Sequence, residues 1–136
     1  MKSVLIIEDE AAIRRTLTRV LERAGYSVRS AENGAEGLLE LRAAEADIVI
    51  TDIIMPKMHG VDAIKTIVRE FSRVRIIAIS GGGNFGITAY KPDAITTSAY
   101  LAAARKAGAH ALLTKPFRTE DVLRAITEAT KDTSVH

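Results

Sequence analysis

Cysteine is absent from the chain, which excludes a disulfide framework and any thiolate metal site and agrees with a reducing compartment. A dominant charge is missing too. Nineteen lysines and arginines against 17 aspartates and glutamates leave a formal net charge of +2, too small for the electrostatic footprint of a nucleic-acid binder. No apolar segment reaches membrane-spanning length. The first apolar run, Val4–Ile7, is interrupted at once by Glu8, Asp9 and Glu10. It is too short for the core of a signal peptide, and no small-residue cleavage site follows. What is present is 136 residues, 47% hydrophobic and 26% charged. That is the size and composition of one domain able to bury most of its apolar surface. A cytoplasmic protein with no direct contact to nucleic acid or membrane is expected.

The apolar pattern alternates between two kinds of segment. The β-branched run Ile48–Ile50 fits a strand buried on both faces, Val4–Ile7 reads as a buried first strand, and Tyr26–Ala31, Arg75–Ile79 and Ala109–Thr114 read as the second, fourth and fifth strands. Between them lie helical stripes. Ile13, Leu17, Val20 and Leu21 form the first, closed by Gly25 as its C′ residue. Asn33-Gly34 turns the chain into a helix over about 35–44, with Leu38, Leu39 and Leu41 available for burial. Ile64, Ile67, Val68 and Phe71 mark a third helix beyond Gly60. From Gly81 to about Thr97 the pattern is lost, and Pro92 forbids a continuous helix. An alanine-rich helix over about 97–107 ends at Gly108. The last helix starts near Thr119, whose hydroxyl is placed to cap it, with Val122, Leu123 and Ile126 as its buried face. The order βαβαβαβαβα predicts a single α/β domain over 1–131, a doubly wound parallel sheet with right-handed crossovers. A frayed tail over 132–136 is expected to follow.

Polar residues stand where the strands run out: Glu8 and Asp9 after the first, Asp52 after the third, Ser80 after the fourth and Lys115 after the fifth. In a parallel sheet all carboxyl ends face one way, so these residues can converge. Clustered carboxylates repel one another unless a cation joins them, and oxygen ligands without histidine or thiolate favour Mg²⁺. Lys115 adds a point charge for an anion and Ser80 a hydroxyl donor. The set fits transfer of a phosphoryl group to a carboxylate, with Asp52 as nucleophile.

Glu8-Asp9, Asp52 with Met55-Pro56 and Gly60, Ser80, and Lys115-Pro116-Phe117 stand in one order. With them the chain, from Val4 to about Ala129, resembles the receiver domain of bacterial two-component response regulators, of the stand-alone single-domain type. The resemblance implies a flavodoxin-like fold with strand order 2-1-3-4-5. It implies Mg²⁺-dependent transfer of phosphate to Asp52 from a sensor histidine kinase or a histidine phosphotransfer protein. Asp9 would hold the metal directly, Glu8 through water, and the backbone carbonyl of Ile54 would complete the shell. Lys115 would contact the phosphoryl group, Ser80 would be the switch hydroxyl, and the peptide bond before Pro116 would be cis. The face of the fourth helix, fifth strand and fifth helix would read the signal out to a downstream protein. No enzymatic role beyond self-phosphorylation and self-dephosphorylation is implied.

The chain departs from that pattern in three places. Leu112 occupies the position where the family often has a ring that turns inward with the switch. About a dozen extra residues separate Ser80 from Lys115, so an extended loop or extra element is expected over 81–97. Ile54 offers no hydrogen bond to a water attacking the aspartyl phosphate, which implies slow self-dephosphorylation. His59 and His110 read as ordinary solvated or strand-edge residues, and Gly81-Gly82-Gly83 lacks the lysine and spacing of a nucleotide loop. The alternative function is a receiver-like interaction module that works without phosphorylation, or a receiver fragment of a larger regulator. A phosphohydrolase would need a positioned general acid or base beside Asp52, and no motif supplies one.

Overall fold

A computed structural model describes residues 2–53, 60–80 and 102–131. Five strands, β1 (Ser3–Ile7), β2 (Ser27–Ala31), β3 (Ile48–Asp52), β4 (Arg75–Ser80) and β5 (Ala111–Thr114), form one sheet in the order β2-β1-β3-β4-β5. Every pairing is parallel. The helices are α1 (Ala11–Arg23), α2 (Gly34–Ala43) and α3 (Gly60–Glu70), then helical residues 102–107 (α4), and α5 (Thr119–Thr130). This is the doubly wound, flavodoxin-like arrangement anticipated from the alternation of segments. The extended segment over 81–97 lies outside the described residues, as do Ile54, His59 and the tail over 132–136.

Strand parity divides the core in two. Val4, Ile6, Ile48, Ile50, Ile77, Ile79, Ala111 and Leu113 pack against Leu17 and Leu21 of α1 and Val122, Ala125, Ile126 and Ala129 of α5. The alternate residues, among them Leu5, Ile7, Val49, Ile76 and Ala78, pack against Leu38 and Leu41 of α2, Ile64 and Ile67 of α3, and Ala104 of α4. A period of two on a sheet covered on both faces produces this split, because successive side chains leave by opposite faces. Ile50 sits in the central strand and is fully buried. Its truncation leaves a cavity that flanking strands cannot collapse into. Ile50→Ala is expected to cost about 3 kcal/mol in urea-induced equilibrium unfolding, and a loss under about 1 kcal/mol would contradict this packing.

Four helix details differ from the sequence expectations. Leu39 is 64% exposed and does not join the core, because α2 presents Gly34, Gly37, Leu38 and Leu41 to the sheet. A Cβ added at Gly37 would stand 2.4 Å from Ile7 Cδ1, so glycine lets α2 lie close on β1. Asn33 caps this helix, its Oδ1 accepting from Glu36 N–H at 2.9 Å. In α5 the Thr119 hydroxyl makes no cap. Thr119 is already the first helical residue, and Asp121 reaches back to accept from Arg118 N–H at 2.9 Å. Leu123 is 36% exposed, since the buried stripe falls on Val122, Ala125, Ile126 and Ala129. Val68 is likewise partly exposed.

His110 serves the sheet. Its N–H donates to Ile76 O at 2.7 Å, and its Nδ1 accepts from Ile76 N–H at 3.0 Å, lengthening the β4–β5 ladder by one residue. Burial, helped by the nearby Arg75 charge, holds this imidazole below its ordinary pKa of 6.5. The unfolded chain therefore binds a proton at a higher pH than the folded chain. The stability this neutral ring contributes is complete above the unfolded value and declines as pH falls towards the lower folded one. Between pH 7.5 and 5.5 the wild-type melting temperature is expected to drop further than that of His110→Gln. Parallel curves would remove His110 as the cause.

Candidate functional site

The site lies beyond the last apolar layer at the carboxyl ends of β1, β3 and β5. Glu8 follows β1, and its N–H donates to Ala31 O at 3.1 Å, so the β1–β2 ladder extends to it. The Arg14 guanidinium donates to Glu8 O at 2.8 Å. Glu8 continues the parity of Val4 and Ile6, and Asp52 that of Ile48 and Ile50. Both therefore fall on the α1–α5 side of the sheet. Asp52 is the last residue of β3 and 4% exposed. Ile53 N–H still donates to Ile79 O at 3.1 Å, which clamps the strand end to β4. Ser80, buried, ends β4, and its carbonyl accepts from Lys115 N–H at 3.1 Å. The peptide bond from Lys115 to Pro116 is cis.

These elements bring together residues far apart in sequence. One carboxylate oxygen from each of Glu8, Asp9 and Asp52 lies within 4.8 Å of the others; Glu8 and Asp52 are buried and Asp9 is exposed. Lys115 Nζ donates to Asp52 Oδ2 at 3.0 Å, to Glu10 Oε1 at 3.2 Å and to Glu8 Oε2 at 3.4 Å. Burial, followed by the Asp52 charge, pushes the Glu8 carboxyl up to about 8 against the opposing pull of Lys115. For Lys115, burial works against the ammonium, but the Asp52 and Glu8 charges outweigh it and raise the pKa above its ordinary value. The lysine is thus held cationic among carboxylates that its single charge does not balance.

A hard divalent cation fits this set. All the donors are oxygens, and Glu8 Oε1, fully buried, has no hydrogen-bond partner. It stands 3.2 Å from Lys115 Nζ as an ion pair without hydrogen-bond geometry. Removing one buried carboxylate's charge by protonation, or adding a cation, are the two ways to relieve such crowding.

Glu8, Asp9, Asp52 and Lys115 therefore meet as their places at the strand ends require. Ser80 and Thr114 pair where β4 and β5 end, so Ser80 reaches the same edge, at the parity of Ile76 and Ala78. Leu112 is half-buried against the core on the α2–α3 side. The Ile54 carbonyl lies outside the described residues. Glu10 was not anticipated. Its sequence signal is its place as the third acid in the run Glu8-Asp9-Glu10, one step along the loop from the acids the strand end presents.

Residues 4–127 match the response regulator receiver domain family. The chain is 35% identical over 131 residues to the chemotaxis protein CheY of Thermotoga maritima, covering 96% of this chain and 98% of that one. Among solved structures, the chemotaxis response regulator CheY4 of Vibrio cholerae superposes with a TM-score of 0.79 at 25% identity, over 95% of this chain and 98% of that one. The response regulator TrrA of Thermotoga maritima, solved in complex with Mg(2+)-BeF, gives a TM-score of 0.75 at 25% identity, over 95% and 99% of the two chains. No helix among the described residues is long and apolar enough to cross a membrane. By its strand order, its clustered acids and lysine, and its match across nearly the whole length, the chain belongs to the response regulator receiver domains of two-component systems.

Proposed function

We propose that the chain is a stand-alone, cytoplasmic response regulator whose receiver domain, over 1–131, accepts a phosphoryl group on Asp52. The donor is a phosphohistidine on a sensor histidine kinase or a histidine phosphotransfer protein. The observation that carries this reading is the Lys115 ammonium 3.0 Å from Asp52 Oδ2, beside the joined Glu8, Asp9 and Asp52 carboxylates. An Asp52 oxygen attacks phosphorus, the P–N bond to the donor imidazole breaks, and the imidazole leaves with its electron pair and takes a proton from solvent. Asp9 and Asp52 directly, Glu8 through water, and the Ile54 carbonyl that the resemblance implies would hold Mg²⁺, which would supply charge neutralisation for the phosphoryl oxygens. Lys115 draws the same oxygens from the other side, as a point charge needing no particular orientation.

The new aspartyl phosphate brings close to two negative charges. The Ser80 hydroxyl and Lys115 gain contacts with it in one conformation only, and the equilibrium shifts by that difference. Leu112 belongs to β5 and is half-buried, and the α4–β5–α5 face is where a downstream protein would read the state. An aliphatic side chain transmits by packing alone. To test the acceptor role, the protein is incubated with Mg²⁺ and acetyl phosphate and its intact mass measured. One phosphoryl adduct, lost on chelation of the metal, is expected. No adduct would favour an interaction module independent of phosphorylation, and steady donor turnover would favour a phosphohydrolase.

A further inference from the structure

Glu10 is the N-cap residue of α1, yet its side chain makes no capping hydrogen bond. Its backbone is fully engaged: the N–H donates to Glu8 Oε2 at 3.1 Å, and the carbonyl accepts from Arg14 N–H at 3.0 Å. The carboxylate instead reaches across the site to Lys115, 105 residues away, with Oε1 3.2 Å from Nζ. An ammonium has three donors. Here Asp52 Oδ2, Glu10 Oε1 and Glu8 Oε2 take all three. A phosphoryl oxygen on Asp52 meets a lysine with no donor to spare.

We infer that Glu10 is a latch on Lys115, a positioning residue that holds the ammonium in the unphosphorylated arrangement and is shed when a phosphoryl group arrives. This rests on the proposed acceptor role of Asp52. Three observations favour Glu10 as the partner that yields. Its side chain is 46% exposed, while those of Glu8 and Asp52 are 0% and 5% exposed. On release the Glu10 carboxylate returns to water, which costs little, whereas freeing Glu8 or Asp52 would strand a buried charge. Glu10 is also outside the trio of carboxylates placed to share a cation, so a bound divalent ion does not retain it. Finally, the phosphoryl group puts about two negative charges beside the lysine and pushes a third anion outward. The latch therefore opens in response to the event it restrains, and it slows that event by the strength of one half-exposed ion pair.

The experiment compares initial rates of adduct formation from acetyl phosphate in saturating Mg²⁺, read by intact mass. Glu10→Ala is expected to gain about two- to five-fold over wild type, the worth of an exposed ion pair. Glu10→Gln, which keeps an oxygen acceptor but drops the charge, falls between. The gain shrinks as salt is raised. In a Lys115→Met background Glu10→Ala gives no gain, because the latch has nothing to hold. Wild type that accepts phosphate while Glu10→Ala runs no faster would overturn the latch and leave the acceptor reading standing. A gain that persists without Lys115 would overturn it as well, by showing that Glu10 acts only as a charge repelling the anionic donor. If wild type forms no adduct, the acceptor reading fails and the latch with it. Circular dichroism of each variant, expected to match wild type, excludes misfolding as the source of any slow rate.

Discussion

Asp52→Asn is expected to form no phosphoryl adduct and to be no less stable than wild type. The amide keeps the shape of the carboxylate, and its oxygen still accepts from Lys115, but it is not a nucleophile at neutral pH. Stability should hold because the charge removed is a crowded one. Burial and then Asp52 are the leading causes that push Glu8 up to about 8. With asparagine at 52, Glu8 faces only its own desolvation and keeps the whole attraction of Lys115. The metal response should move the other way. Three carboxylates become two, so the rise in melting temperature expected for wild type in millimolar Mg²⁺ should shrink sharply in the variant. Intact mass after acetyl phosphate treatment and thermal scans with and without Mg²⁺ read both halves. A full adduct on Asp52→Asn would move the acceptor elsewhere. A large drop in stability would mean that Asp52 is chiefly a structural partner of Lys115.

Lys115→Met should do the reverse. Its side chain is 13% exposed and lies between the two buried carboxylates Glu8 and Asp52. Methionine fills much of the same volume but leaves those carboxylates without their cation. Removing one member of a buried charge network typically costs about 3–5 kcal/mol. The low end, about 3 kcal/mol, is expected because burial and the Asp52 charge already raise the Glu8 pKa, so protonation can relieve part of the loss. Divalent metal supplies the missing positive charge, so the deficit in denaturant unfolding should narrow in Mg²⁺. Phosphoryl transfer loses a donor aimed at developing charge and should slow about 10²-fold. A variant as stable as wild type in chelator would show that Lys115 balances no buried charge. Lys115→Arg is no substitute control, since a planar guanidinium needs room that a buried ammonium does not.

The sheet was legible because its signal is repeated. Five short strand-like runs, four of them followed by the polar residues of the site, specify parallel strands with a common edge, and parity then puts Glu8 and Asp52 on one face. The helices were legible in number but less so in facing. Leu38, Leu39 and Leu41 are equally apolar, and only the close seat of Gly37 on Ile7 decides that Leu39 turns outward. In α5 the buried stripe uses Ala125 and Ala129, which carry little hydrophobic weight in a sequence. The exposed Leu123 outranks them by composition and loses to them by geometry. The Glu10 contact was invisible for another reason. It is a side-chain choice between capping its own helix and reaching a lysine more than a hundred residues on, and no local pattern records that choice. The Ile54 carbonyl and the segment over 81–97 remain expectations, as neither is among the described residues.

The separation between Glu8 and Lys115, 107 residues, bears on how the protein is made. A ribosome delivers the chain from its N-terminus, so both buried acids emerge long before the lysine that balances them. Until β5 docks beside β4, the Lys115 ammonium is not in place between Glu8 and Asp52. Long-range closure of this kind comes late in folding. If Asp52 accepts phosphate as proposed, a nascent chain lacking β5 carries Asp52 without Lys115, so full reactivity towards a phosphodonor is expected with the finished domain.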